Sequence, residues 1–162
     1  MPDYPSRMQP WEWELIGRMA LGAALGYVIG FERELRGKSA GERTFALIAL
    51  GAAALTALGQ ETFGAASTRV VQGIVTGVGF LGAGLIFQRE HGIVLGLTTA
   101  ASVWAIAAVG VLAGSGVYAA SVVATALVVL ILELDRLPVI RRVAPRRLRD
   151  DQLARRHDDE DA

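Results

Sequence analysis

The residues able to do chemistry gather at the ends of apolar runs. Phe31-Glu-Arg-Glu34 closes the first run, and Arg36-Gly-Lys38 and Gly41-Glu-Arg-Thr44 follow it. Glu32 lies close enough to a bilayer to form a buried pair with an arginine of a neighbouring helix. Arg33 stands beside it, and Arg43 and Thr44 lie across a short turn that water and positive charge alone would also explain. Thr44 suits the N-cap of the second helix. Arg18 is the only charge inside an apolar run, four residues after Glu14, in the order that favours an ion pair on a helix; its long stem also lets it snorkel outward. Gln72, Thr98, Thr99 and Ser102 are neutral polar groups expected to face the protein interior, where hydroxyls satisfy carbonyls and amides bridge helices. Trp104, in the middle of a run, is expected to fill the core.

The chemistry that is missing narrows the field. There is no cysteine, His91 falls in a turn and His157 in the tail. No nucleophile–base pair or thiolate metal site can be assembled from these. No Asp or Glu occupies the centre of any apolar run, where a magnesium path or a proton relay would need its oxygens. An enzyme is not expected, no cofactor is implied and no metal ligand set can be named. Gly77-Val-Gly79-Phe-Leu-Gly82 satisfies G-x-G-x-x-G, but the acid required about 20 residues on is absent, with Ser102 in that region. The match is accidental.

The elements that carry these residues follow from charge segregation. The 162-residue chain has 16 basic and 16 acidic residues and 52% hydrophobic residues, close to a soluble composition. Yet Leu15–Phe31, Thr44–Gly59, Val70–Phe87, Ile93–Val111 and Val117–Leu134 lack the polar stripe that a water-facing helix needs. Each would span about 25–28 Å as a helix, slightly short of a hydrocarbon core. The expectation is an all-α membrane protein, a compact bundle of five transmembrane helices. It divides into residues 1–13 outside, a helical domain over 14–134 and a tail over 135–162. Thirteen of the Lys and Arg fall on one side and only Arg7 and Arg69 on the other. The positive-inside rule then places the N-terminus outside and the C-terminus in the cytoplasm, with Trp11, Trp13 and Tyr118 in an outer aromatic belt. The acid-rich leading segment does not look like a cleaved signal peptide.

Nineteen glycines supply the expected packing surface. Gly22, Gly26 and Gly30 recur every four residues in the first run, and Gly73, Gly77, Gly82 and Gly84 lie in the third. Lipid gives helices no hydrophobic reason to associate, so close backbone approach must do it. Packing within one bundle is the plain expectation and a homodimer seam the sharper one. A repeat is also suggested: at an offset of 56, Gly17, Leu25 and Gly26 match Gly73, Leu81 and Gly82. Gly41-x-x-Thr44 likewise resembles Gly96-x-x-Thr99, which would make the two helical hairpins parallel repeats.

Gly30-Phe-Glu-Arg-Glu34, Arg36-Gly-Lys38, Gly41-Glu-Arg-Thr44, Gly77-Val-Gly-Phe-Leu-Gly-Ala-Gly84 and Gly96-Leu-Thr-Thr-Ala-Ala-Ser-Val-Trp-Ala105 together resemble the MgtC/SapB family of bacterial inner-membrane proteins. The similarity covers about residues 14–134. It implies a multi-pass inner-membrane domain linked to adaptation to low magnesium and, in pathogens, to survival inside host cells. Modulation of other membrane proteins is as compatible with the family as magnesium transport. The family's motif residues carry over to Glu32, Arg33, Arg43, Thr44, Gly82, Gly84, Thr98, Thr99 and Trp104. Glu42, Phe45 and Leu95 depart from the pattern. Longer members continue into a soluble regulatory domain, which a chain stopping 28 residues after its last helix is expected to lack. The expected partners are the bilayer, anionic headgroups at the Arg136–Arg149 cluster of the tail, a membrane protein and, alternatively, a second copy. The acidic Asp158–Asp161 end is expected to be disordered, and nothing suggests nucleic acid.

Overall fold

The computed structural model describes residues 9–88 and 94–134. The basic tail and Arg89, His91 and His157 lie outside the described residues. Five α-helices run in order: α1 (Pro10–Leu35), α2 (Glu42–Phe63), α3 (Ser67–Leu85), α4 (Leu97–Gly114) and α5 (Tyr118–Glu133). Helical segments Pro10–Leu35, Glu42–Leu85 and Leu97–Gly114 are long and apolar enough to cross a membrane, and Tyr118–Glu133 is a shorter apolar helix. The expected all-α bundle of membrane type is therefore present.

Several boundaries move. Pro10 opens α1 at its first position, where its missing N–H removes no bond. Gly41, not Thr44, is the N-cap of α2, which begins three residues earlier than expected at the N-cap. Between α2 and α3 the chain turns at Gly64 (φ 49°) through a single 3₁₀ turn, Gly64–Ala66. Helix α3 stops at Leu85, and α4 starts at Leu97 rather than at Ile93. Part of the intervening chain forms a short antiparallel ribbon, with Phe87 opposite Leu95 and Gln88 opposite Val94. Gly96 (φ 85°) closes it against the Leu85 carbonyl, a position where any Cβ would collide.

Helices α1, α2 and α4 make the core, and glycine decides how. Gly22, Gly26 and Gly30 of α1 face α2: a Cβ at Gly26 would stand 2.5 Å from the Phe45 carbonyl oxygen and 2.9 Å from Ala49 Cβ. Gly110 of α4 also meets the Ala49 carbonyl (2.6 Å to a built Cβ) and Ala52, while Gly114 meets Ala53 and Thr56. Ala49 and Ala53 thus touch both neighbouring helices. The order of these contacts runs α1 antiparallel and α4 parallel to α2. Phe45, Ala49, Ala53, Val103, Ile106 and Ala113 are fully buried along this seam.

The third-run glycines behave differently. Gly73, Gly77 and Gly84 have open space where a Cβ would point, and Gly82 only brushes Ala100 at 3.8 Å. The expected packing role is corrected for Gly73, Gly77 and Gly84: α3 leans on α4 and α2 through Ile74, Val78, Val70 and the buried Gly82. One pair of contacts recurs at the offset of the suggested repeat. Gly26 meets Phe45, and Gly82, 56 residues on, meets Ala100, 55 residues beyond Phe45.

The two kinds of glycine predict opposite outcomes. Gly26→Ala and Gly110→Ala each lower unfolding free energy by about 1–3 kcal/mol, because a backbone neighbour cannot yield to the new methyl. Gly73→Ala and Gly77→Ala stay within about 0.5 kcal/mol of the parent. SDS titration of the purified variants in mixed micelles measures both.

Candidate functional site

Two polar clusters mark opposite ends of the core. At the end where α1 finishes and α2 begins, the buried stripe Gly22, Gly26, Ile29 and Gly30 continues into Arg33, which is only 2% exposed. Glu32 is largely buried and ion-paired with Arg36, one turn on, and its second oxygen lies 3.7 Å from an Arg33 guanidinium nitrogen. The cluster thus carries one carboxylate between two guanidiniums. Glu32 pairs with Arg33 of α1 and with Arg36 at its C-cap, so the expected pairing of Glu32 with an arginine of a neighbouring helix is not seen among the described residues. Gly41 approaches α1 so closely that a Cβ there would strike the Glu34 carboxylate, and Gly30 lies against Glu42. Small residues again set the distance, and the charged groups are stacked around a tight helical corner.

Arg43 and Thr44 stand apart from this cluster. The Arg43 side chain is 93% exposed, with only a loose 3.9 Å approach to Glu42, and Thr44 is exposed. The α4 polar residues split by helix face. Thr99 and Ser102 are buried, and the Ser102 hydroxyl donates to the Thr99 carbonyl at 2.8 Å. Thr98 is exposed, and so is Gln72 on α3. The expectation that all four face inward is therefore corrected for Thr98 and Gln72. Trp104 is also not a core filler: it is 52% exposed and lines a small apolar cavity with Val71, Ile74 and Val75 of α3. In α5, Ser121 and Thr125 are buried and turn their hydroxyls back onto the carbonyls of Tyr118 (2.7 Å) and Ser121 (2.9 Å). Self-satisfaction of this kind is how hydroxyls survive in an apolar helix. Among the described residues no group of three or more His, Cys, Asp or Glu could hold a metal ion.

The opposite end holds an arrangement that sequence reasoning saw only in part. Arg18 pairs with Glu14 at 2.5 Å as expected, but it also donates to the Gly114 carbonyl at the end of α4 (3.0 Å) and to Gln60 of α2 (3.4 Å). Gly116 lies beside the guanidinium, so that a Cβ there would stand 3.4 Å from it. The Tyr118 hydroxyl of α5 borders it as well. One cation therefore ties α1 to α2 and caps an orphan carbonyl at the C-terminus of α4, where positive charge is favoured. Trp11, Trp13 and Tyr118 share this end and are well exposed.

The comparisons agree with the residues. The MgtC family model matches residues 19–138. The chain belongs to the MgtC family. It is 46% identical over 107 residues to Protein SrpB of Synechococcus elongatus, covering 57% of this chain and 59% of the relative. It is 41% identical over 129 residues to the protein named putative magnesium transporter YhiD of Escherichia coli K12, covering 74% of this chain and 60% of that one. Protein MgtC of Brucella abortus is 48% identical over 108 residues, covering 66% and 45% of the two chains. The match spans about half the length of these relatives. No solved structure matches. This MgtC-family membrane protein thus combines a glycine-closed core with a charged corner at one end and an arginine buckle at the other.

Replacing Arg18 by Met keeps an unbranched side chain without the guanidinium and strands the Gly114 carbonyl, a loss of about 1–3 kcal/mol in unfolding free energy. Glu14→Gln, on an exposed partner, costs less than about 1 kcal/mol. The same SDS titration, run on both variants, compares them directly.

Proposed function

We propose that this chain acts in the bacterial inner membrane as a non-enzymatic modulator of other membrane proteins, in a role connected with magnesium homeostasis. The observation that carries the reading is the closure of the α1–α2–α4 core. Gly22, Gly26, Gly110 and Gly114 bring backbones into contact with no room for a methyl group, so the seam leaves no space for a hydrated ion. Mg²⁺ parts reluctantly with its waters and is usually held by carboxylates. The acids of α1 and α2, Glu12, Glu14, Glu32, Glu34, Glu42 and Glu61, all lie near helix ends. In this account the charged corner around Glu32 and Arg33 fixes the helical turn, and five apolar helices crossing the bilayer, with the N-terminus outside and the C-terminus cytoplasmic, present the exterior to a partner.

A second reading is transport of Mg²⁺ or another small solute, favoured by the printed name of the Escherichia coli relative. The two readings separate in reconstituted vesicles. Purified protein in proteoliposomes is expected to give Mg²⁺ entry no faster than protein-free vesicles, with Glu32→Gln indistinguishable from the parent. Robust entry that Glu32→Gln or Gln72→Leu abolishes would establish transport instead.

A further inference from the structure

Helices α2 and α3 form an antiparallel hairpin that is not closed. Between them runs an apolar cleft of about 530 Å³, walled by Leu47, Ile48 and Leu55 of α2 and Leu81 of α3. That volume falls in the range of small-molecule sites, roughly 300–1,000 Å³. Gly51, Gly73 and Gly77 lie along the cleft, and a Cβ on any of them would meet nothing within 4 Å. Glycine is a poorer helix former than alanine, and packing inside this chain gives no reason for it here. Its effect is to leave the cleft unfilled.

The mouth of the cleft is polar in a specific way. Arg43 stands one helical turn before Leu47, and Thr44 one turn before Ile48. Their backbone register therefore puts a cation and a hydroxyl at the charged end of the cleft. Both side chains are exposed, and Arg43 is almost wholly so. An exposed guanidinium with a hydroxyl next to it suits a phosphate group. An apolar trough leading away from it suits a hydrocarbon chain.

We propose that the α2–α3 cleft is a binding site for an anionic glycerophospholipid. Its headgroup phosphate meets Arg43 and Thr44, and one acyl chain lies over Gly51 and Gly77. Charge complementarity selects the occupant: an anionic lipid offers a phosphate to the exposed guanidinium at the mouth and a hydrocarbon chain to the trough. The proposal does not depend on whether the protein modulates or transports.

The test uses the full chain, purified in detergent and titrated with phosphatidylglycerol or phosphatidylcholine while bound lipid is counted by native mass spectrometry. The parent is expected to retain phosphatidylglycerol at least fivefold better than phosphatidylcholine. Arg43→Gln with Thr44→Val should remove most of that preference. Gly77→Leu, which fills the trough and leaves every cation in place, should cut retention of phosphatidylglycerol by a similar factor. Arg69→Gln, at the other end of the hairpin, should change nothing and controls for general charge. Equal retention of the two lipids by the parent would overturn the proposal. So would preference that survives both the mouth and the trough variants, since the basic tail would then be the binding site. A Gly73→Cys variant that cross-links two copies efficiently in membranes would overturn it too, by making the cleft a dimer seam.

Discussion

Ala49 and Ala53 of α2 are held between two sets of glycines, Gly22 and Gly26 on α1 and Gly110 and Gly114 on α4. In a bilayer no hydrophobic force presses these helices together, so their association rests on van der Waals contact between backbones. That constraint sets the rest of the architecture. It packs α1, α2 and α4 against one another, excludes any side chain at the glycine positions and brings the C-terminus of α4 beside Arg18. The Arg18–Gly114 bond at 3.0 Å can form only because Gly114 lies against Ala53 and Thr56. Likewise Gly30 against Glu42, and Gly41 against Glu34, draw the charged corner tight around Arg33 and Glu32. The polar features at the two ends are consequences of one packing geometry in the middle.

The helix α3 completes the bundle by another rule. It leans on α2 and α4 with branched side chains, Val70, Ile74 and Val78, and leaves Gly73, Gly77 and Gly84 uncovered. A helix attached this way is held by ordinary side-chain packing, and its glycine-lined side is offered outward to lipid or to another molecule. The same residue type therefore serves closure in one part of the molecule and openness in another.

This division explains what the sequence could and could not disclose. Charge segregation was enough for an all-α membrane bundle, and the four-residue spacing of Gly22, Gly26 and Gly30 marked a true contact face. The same logic misassigned Gly73 and Gly77, because spacing reveals a smooth face but not whether anything covers it. It also passed over Gly110 and Gly114, which have the same spacing. Inward-facing roles for Gln72 and Thr98 failed for a related reason: neutral polar groups at helix ends can face headgroups and water as readily as the core. The ribbon Phe87–Gln88 with Val94–Leu95 is too short to show alternation. Arg18 was legible as a partner of Glu14, but its bonds to Gln60 and Gly114 join positions 42 and 96 residues away, which only folding brings together.

The absence of cysteine from the chain makes the central claim, a core closed to water, directly measurable. Single cysteines at Val103 and Ile106, both fully buried in α4, and at exposed Arg43 can be challenged with a charged thiol reagent in intact membranes. The account predicts that the Arg43→Cys protein is labelled while Val103→Cys and Ile106→Cys are not. Ready labelling of both core positions would contradict it, because water would then reach the middle of the bundle.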